Sequence, residues 1–208
     1  MTNKNIIVVY GGSFNPPLNS HFVIAQQVLN QYEEVEKIVF IPVNKTYPKD
    51  GLLANNHRYN MLKFVVDNNE EFVLSDMDLQ EEKRSLYTFE TLEKTKEMFP
   101  DKEIWFLIGS DNLKEIHTWK KPEELLSKYK LLVMERNNDS IENIINSNEL
   151  LLSHKDNILE LHTEIKNNYS SSYVRNLIKQ KKSARYLIPD EVYNYIKNNK
   201  LYVEWLKW

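Results

Sequence analysis

The sequence predicts an α/β protein built on a doubly wound, mostly parallel sheet, with a C-terminal helical lobe. Three observations carry that prediction. Short apolar runs rich in β-branched and aromatic residues alternate with stretches of helical period. Of only four glycines, Gly11, Gly12 and Gly109 fall directly after predicted strands. Beyond residue 165 the strand pattern stops and helical patterns alone remain.

The strands are read at 5–10, 37–43, 72–79, 103–109, 130–135 and 158–163. Helices are read between them at 20–32, 57–68, 88–98, 122–129 and 139–147. Strands joined by helices of this length imply right-handed crossovers and a Rossmann-like sheet. Ligands of such sheets sit at the carboxyl ends of the strands, where the three glycines cluster. The lobe holds two helical stretches, YSSSYVRNLIKQ and IPDEVYNYIKNN. In the second, Pro189 suits the first helical turn and acidic residues follow it, as the helix dipole favours. No linker-like stretch separates lobe from core, so 1–208 is read as one domain, with an α/β core over 1–165 and the lobe over 166–208.

Composition removes several functional classes. The formal net charge of −3 offers no basic footprint for nucleic acid or an anionic membrane. A local phosphate site needs only a few cations and stays open. The absence of cysteine excludes disulfides, zinc–thiolate sites and thiol nucleophiles. The apolar run before the first glycines is too short for a signal sequence, and no stretch approaches the roughly 18 apolar residues of a membrane span, so a cytoplasmic location is the default.

The stretch YGGSFNPPLNSH, residues 10–21, concentrates the chemistry. A buried strand, a Gly-Gly turn and a helix N-terminus make an anion site, because glycine admits close backbone approach and the first helical amides are unpaired. His21 falls in the first helical turn, where its imidazole can donate to a phosphoryl oxygen. The competing reading is a glycine-rich turn with a structural histidine. Neither G-x-G-x-x-G nor G-x-x-x-x-G-K-[ST] occurs, which disfavours a dehydrogenase or a P-loop NTPase. Asp111 has two roles open to it, accepting from a ribose diol or capping a helix. His117, His154 and His162 show no metal-like spacing with carboxylates, and no metal ligand is assigned.

GGSFNPPLNSH resembles the G-x-F-x-P-x-H/T-x-x-H signature of the nucleotidylyltransferases, and most of all the nicotinamide/nicotinate mononucleotide adenylyltransferases. Four further blocks resemble that family in order: IPVNKTYPK with HRYNML, LIGSDNL with HTWKKPEELL, YSSSYVR, and ARYLIPDEVYNYIKNNKLY. The resemblance implies adenylyl transfer from ATP to a pyridine mononucleotide, with pyrophosphate released and Mg²⁺ accompanying the ATP. It implies catalytic roles for His21, Lys49 and Arg175. ATP would be held by Gly11, Gly12, Ser13, Phe14, Gly109, Asp111, Ser171 and Ser172. Trp119 would stack on the pyridine, with Tyr87, Thr88 and Thr91 as the other wall. His57 and Arg58 lie within a matching block but also suit a plain helix start.

One position departs from the signature. Leu18 stands where the family has His or Thr, and leucine donates no hydrogen bond. The departure opens a second class of function, a nucleotide-binding relative without catalysis. On the enzyme reading, Leu18→His or Leu18→Thr leaves turnover equal or raises it. A third reading, a pantetheine-phosphate adenylyltransferase or a cytidylyltransferase, is disfavoured by the HTW block and the C-terminal helix. Nicotinate against nicotinamide mononucleotide is left open, as is a homo-oligomer. The tail VEWLKW is expected to pack back on the domain.

Overall fold

The structure is a computed structural model and describes residues 4–136, 138–162 and 169–203. Six strands form one parallel sheet in the order β3-β2-β1-β4-β5-β6. They are β1 (Ile6–Gly12), β2 (Val35–Pro42), β3 (Phe72–Leu74), β4 (Glu103–Gly109), β5 (Lys130–Met134) and β6 (Ile158–Leu161). This is the doubly wound order, and it reverses direction between β1 and β4, leaving a crevice at their carboxyl ends.

Both faces of the sheet are covered, which is why its strands read as near-continuous apolar runs. Ile6, Val8 and Tyr10 face helices α1 (Asn19–Gln31) and α2 (Asn55–Val66), through Ala25, Val28, Leu62 and Val66. Ile7 and Val9 face the other way. They share a core with α3 (Thr88–Met98), α4 (Ser110–Glu115), α5 (Pro122–Lys128), α6 (Ile141–Asn146) and α7 (Glu149–Ser153).

The expected strands and helices stand near their predicted places, with three differences. β3 stops at Leu74 rather than running to 79, because the next residues turn to present Asp78. Buried Asp78 accepts from the main-chain N–H of Asn44 and Leu86 and from the Ser85 hydroxyl. α4 and α7 have no counterpart in the prediction; at six and five residues they are too short for a helical period to show. Pro189 caps the final helix from the position before its first turn, and the helix begins at Asp190.

The lobe comprises α8 (Ser171–Lys179) and α9 (Asp190–Asn198). Each ends with a left-handed lysine, Lys181 and Lys200, where glycine is usual. The bonds Lys182 N–H to Leu177 O and Leu201 N–H to Ile196 O close the two helices. Val174, Ala184, Ile188, Val192, Ile196 and Leu201 pack on Met61 of α2 and on Leu18. The proposed boundary at 165/166 and most of the VEWLKW tail lie outside the described residues.

Candidate active site

The crevice at the switch point holds a cavity of about 430 Å³. The end of β1, the starts of α1 and α8, and the segments after β4 and β5 converge on it. Gly11, Gly12, Ser13, Phe14, His21, Lys49, Asp111, Ser171, Ser172 and Arg175, ten residues singled out from the sequence, line it together.

His21 occupies the third position of α1, and its Nδ1 accepts the Leu18 main-chain N–H at 2.9 Å. That is half of a capping box, with imidazole in the place usually held by Glu or Gln. Because the amide can only donate, Nδ1 must be unprotonated, and the neutral ring carries its proton on Nε2. No described residue bonds Nε2. Burial, then the charges of Arg136 and Lys49, push the His21 pKa down to about 3. The side chain is therefore a neutral donor throughout the working pH range. Phe14 packs edge-on against its ring at 5.1 Å.

Phe14 itself has a left-handed backbone, φ 44°, and its ring folds back over Gly12. A Cβ on Gly12 would stand 3.1 Å from that ring, tighter than ordinary contact. Arg58 donates to the Ser13 carbonyl at 3.1 Å, turning that peptide's oxygen away. No described acceptor takes the Ser13 or Phe14 main-chain N–H. Two amides and an imidazole N–H thus lack partners among the described residues in one concave site, the arrangement an anion satisfies.

Three cations border the same space. Lys49 Nζ donates to Ser13 Oγ at 3.2 Å. Desolvation, then the charges of Arg175 and Arg136, lower its pKa. Arg175 rests its guanidinium on the Asn15 carbonyl at 2.9 Å and on Ser172 Oγ at 3.0 Å. Ser171 Oγ donates to the Pro16 carbonyl at 2.8 Å, so this residue braces the loop. Arg136 pairs with Asp111 at 3.4 Å. The pair lies over Gly109, where a Cβ would come within 2.3 Å of Asp111 Oδ1 and 2.8 Å of Arg136 Nε. Gly109→Ala is expected to push both half-exposed side chains aside and to weaken ATP binding by less than about tenfold, about 1.4 kcal/mol. Calorimetric titration with ATP against an unchanged circular dichroism spectrum checks it.

A second cavity of about 230 Å³ adjoins the first and shares Gly11, Gly12, Ser13, Lys49 and Arg136 with it. Thr88, Thr91 and Trp119 line it, as does Gly109. Trp119 sits edge-on to Phe106 at 6.2 Å. Thr91 is buried and donates to the Tyr87 carbonyl. Tyr87 lines neither cavity: its side chain is 46% exposed and lies under the Arg84 guanidinium, 4.4 Å from the ring centroid. The cause is local, since Tyr87 caps α3 through Glu90, which Arg84 grips with both nitrogens. Of the wall expected from the sequence, Thr88 and Thr91 line this cavity and Tyr87 does not.

Leu18 proves to be a packing residue. It is 2% exposed, in the apolar cluster that joins lobe to core. It is also the N-cap of α1 and borders the cavity, so a hydroxyl there can accept from first-turn amides, whereas an imidazole left unpaired in the apolar cluster costs about 1–3 kcal/mol. Leu18→His is thus expected to lower Tm by about 2–10 °C, read by thermal denaturation, rather than to restore a phosphate contact at no cost.

Sequence reasoning missed Arg136 and Tyr10. Arg136 stands two residues beyond the end of β5 and borders both cavities. Its signal was available, a cation just past a strand end on the ligand-binding edge. Tyr10 gave none, because within an apolar run it reads as core. It borders both cavities, and its buried hydroxyl has no partner among the described residues. Burial pushes its pKa up to about 12. Among the described residues no group of three His, Asp or Glu is placed to cage a metal ion. No helix there is long and apolar enough to cross a membrane.

Comparison with known proteins agrees with this architecture. The cytidylyltransferase-like family model matches residues 9–177. A protein of Carboxydothermus hydrogenoformans named "probable nicotinate-nucleotide adenylyltransferase" is 35% identical, over 94% of this chain and 97% of its own. One of the same name from Clostridium tetani is 32% identical, over 93% and 97%. Among solved structures, the Plasmodium falciparum nicotinic acid mononucleotide adenylyltransferase complexed with NaAD shares the fold, with a TM-score of 0.79 and 22% identity, covering 95% of this chain and 97% of that one. With the glycine loop, the switch-point crevice and these full-length relatives in agreement, the chain belongs to the cytidylyltransferase-like family, in its nicotinate-nucleotide adenylyltransferase branch.

Proposed function

We propose that this protein transfers the adenylyl group of ATP to nicotinate mononucleotide, forming the dinucleotide and pyrophosphate in NAD biosynthesis. One observation carries the reading. A neutral imidazole donor, two unpaired main-chain amides and three cations meet in one cavity, beside a second that Trp119 borders. The acceptor phosphate oxygen bonds to the α-phosphorus of ATP as the bond to the pyrophosphate oxygen breaks. Little covalent help is needed; positioning and stabilised charge supply most of the acceleration. His21 Nε2–H and the Ser13 and Phe14 amides hold the transferring phosphoryl group. Arg175 and Lys49 hold the leaving phosphates, with Ser172 orienting Arg175. Asp111 accepts from the ribose diol once Arg136 turns to the phosphates.

Mg²⁺ would come with ATP and neutralise phosphate charge, since among the described residues no carboxylate cluster is placed to cage it. The acid acceptor suits a site where Lys49 and Arg136 border both cavities, and it is the acceptor in the relatives' names. Such a soluble reaction belongs in the cytoplasm. Incubation with ATP, Mg²⁺ and either pyridine mononucleotide tests the proposal. Dinucleotide and pyrophosphate in equal amounts, faster with the nicotinate acceptor, are expected. ATP binding without product would instead make the protein a nucleotide-binding regulator.

A further inference from the structure

The loop that carries the unpaired amides is held from behind by groups far away in the chain. Its central residue, Asn15, is 1% exposed and bonds through both ends of its amide. Nδ2 donates to the Gly51 carbonyl at 2.8 Å, and Oδ1 accepts the Leu53 main-chain N–H at 3.4 Å. The second bond to Oδ1 is shorter: the Tyr202 hydroxyl donates to it at 2.8 Å, across 187 positions of sequence. The carbonyl of the same Asn15 supports Arg175.

Tyr202 reaches this place at a conformational cost. Its φ is 62°, the left-handed region that a bulky side chain rarely enters. Two residues earlier Lys200 is left-handed as well, ending α9, so the chain turns sharply twice to bring the phenol inward. Strained residues of this kind persist only where the surroundings hold them, and they concentrate at functional sites. Burial drives the phenol pKa far upward against the nearby Arg175 and Arg58 charges, so the hydroxyl remains a donor at any working pH.

We propose that Tyr202 is a positioning residue for the adenylyl transfer, fixing through Asn15 both the phosphate loop and the carbonyl on which the Arg175 guanidinium rests. It touches no reacting atom. The inference rests on the function proposed above, and it places the end of the helical lobe inside the machinery of the site.

Tyr202→Phe keeps the ring and its packing while removing the donor. The expected result is a kcat lowered about 3- to 10-fold, as loss of one hydrogen bond allows, with the acceptor KM within about twofold. Asn15→Ala is the partner variant. If Tyr202 acts through Asn15, adding Tyr202→Phe to Asn15→Ala lowers kcat no further. An unchanged kcat, with or without a lower Tm, overturns the proposal by making the contact merely structural. Losses that multiply in the double variant overturn it too. Should the wild type transfer no adenylyl group, the proposed function fails, and ATP affinity by calorimetry becomes the readout. Affinity weakened threefold or more by Tyr202→Phe then sustains the positioning role, and equal affinities refute it.

Discussion

His21→Ala is expected to lower kcat by about 10²–10³, the usual loss when one well-placed transition-state donor is removed. Its ring gives Nδ1 to the Leu18 amide and leaves Nε2–H for the phosphoryl oxygen. Steady-state kinetics at saturating ATP and acceptor measure the effect. Thermal denaturation of the same variant reads the lost helix cap, about 0.5–2 kcal/mol. His21→Gln separates the two, since glutamine at this helix position accepts the same amide and restores the cap without placing a donor where imidazole had it.

The direction of the His21 shift adds a pH test. The unfolded chain binds a proton near pH 6.5, whereas the folded protein refuses it until about pH 3. Between those values the unfolded state holds more protons. This histidine's contribution to stability is therefore complete above pH 6.5 and declines as pH falls toward 3, by at most about 1.4 kcal/mol per pH unit. Urea denaturation at pH 5 and pH 7 should show that slope in the wild type and a shallower one in His21→Gln. Turnover should show no inflection from His21 between pH 5 and 8. An inflection near pH 6.5 that vanished in His21→Gln would mean the imidazole works as a charged acid instead.

Arg175→Lys is the second large effect, an expected fall of roughly 10- to 150-fold in kcat/KM, the equivalent of about 1.5–3 kcal/mol for hydrogen bonds to a charged group. The variant keeps the charge and loses the planar fork that spans the Asn15 carbonyl and Ser172 Oγ. Comparison with Arg175→Ala then divides orientation from charge. A lysine variant with full kcat/KM would show that a point charge suffices. A fall confined to KM would show that Arg175 holds ATP equally in ground and transition states.

The sheet was legible because a parallel strand buried on both faces must be apolar at every position, and Ile6 to Val9 satisfy that wherever they sit. The loop was legible because glycine after such a strand has few other uses. Three things were not. Tyr87 sits in a block that resembles the family's pyridine wall, but the Arg84–Glu90 grip beside it, which leaves it outside both cavities, depends on side-chain geometry. Leu18 read as a missing donor, while the cluster that needs its apolar bulk is assembled from Met61 and from lobe residues more than 150 positions later. Arg58 read as a helix start, yet it is fully buried with its three donating nitrogens on Ser13, Leu53 and Asn55. Leu18 and Arg58 depend on partners distant in sequence and Tyr87 on a side-chain grip between near neighbours, none of which local periodicity can register.

The bond between residues 15 and 202 also bears on how the molecule matures. Domains emerge from the ribosome N-terminal end first. Strand pairing of β1 with β2 and β4 needs nothing beyond Gly109. The loop that follows β1 waits for its last brace until Tyr202 has been synthesised. A nascent or clipped product lacking that end would keep its sheet yet carry an unbraced nucleotide loop, so competence arrives after compactness, and proteolytic nicking near residue 200 would disarm the protein while leaving most of its hydrophobic interior intact.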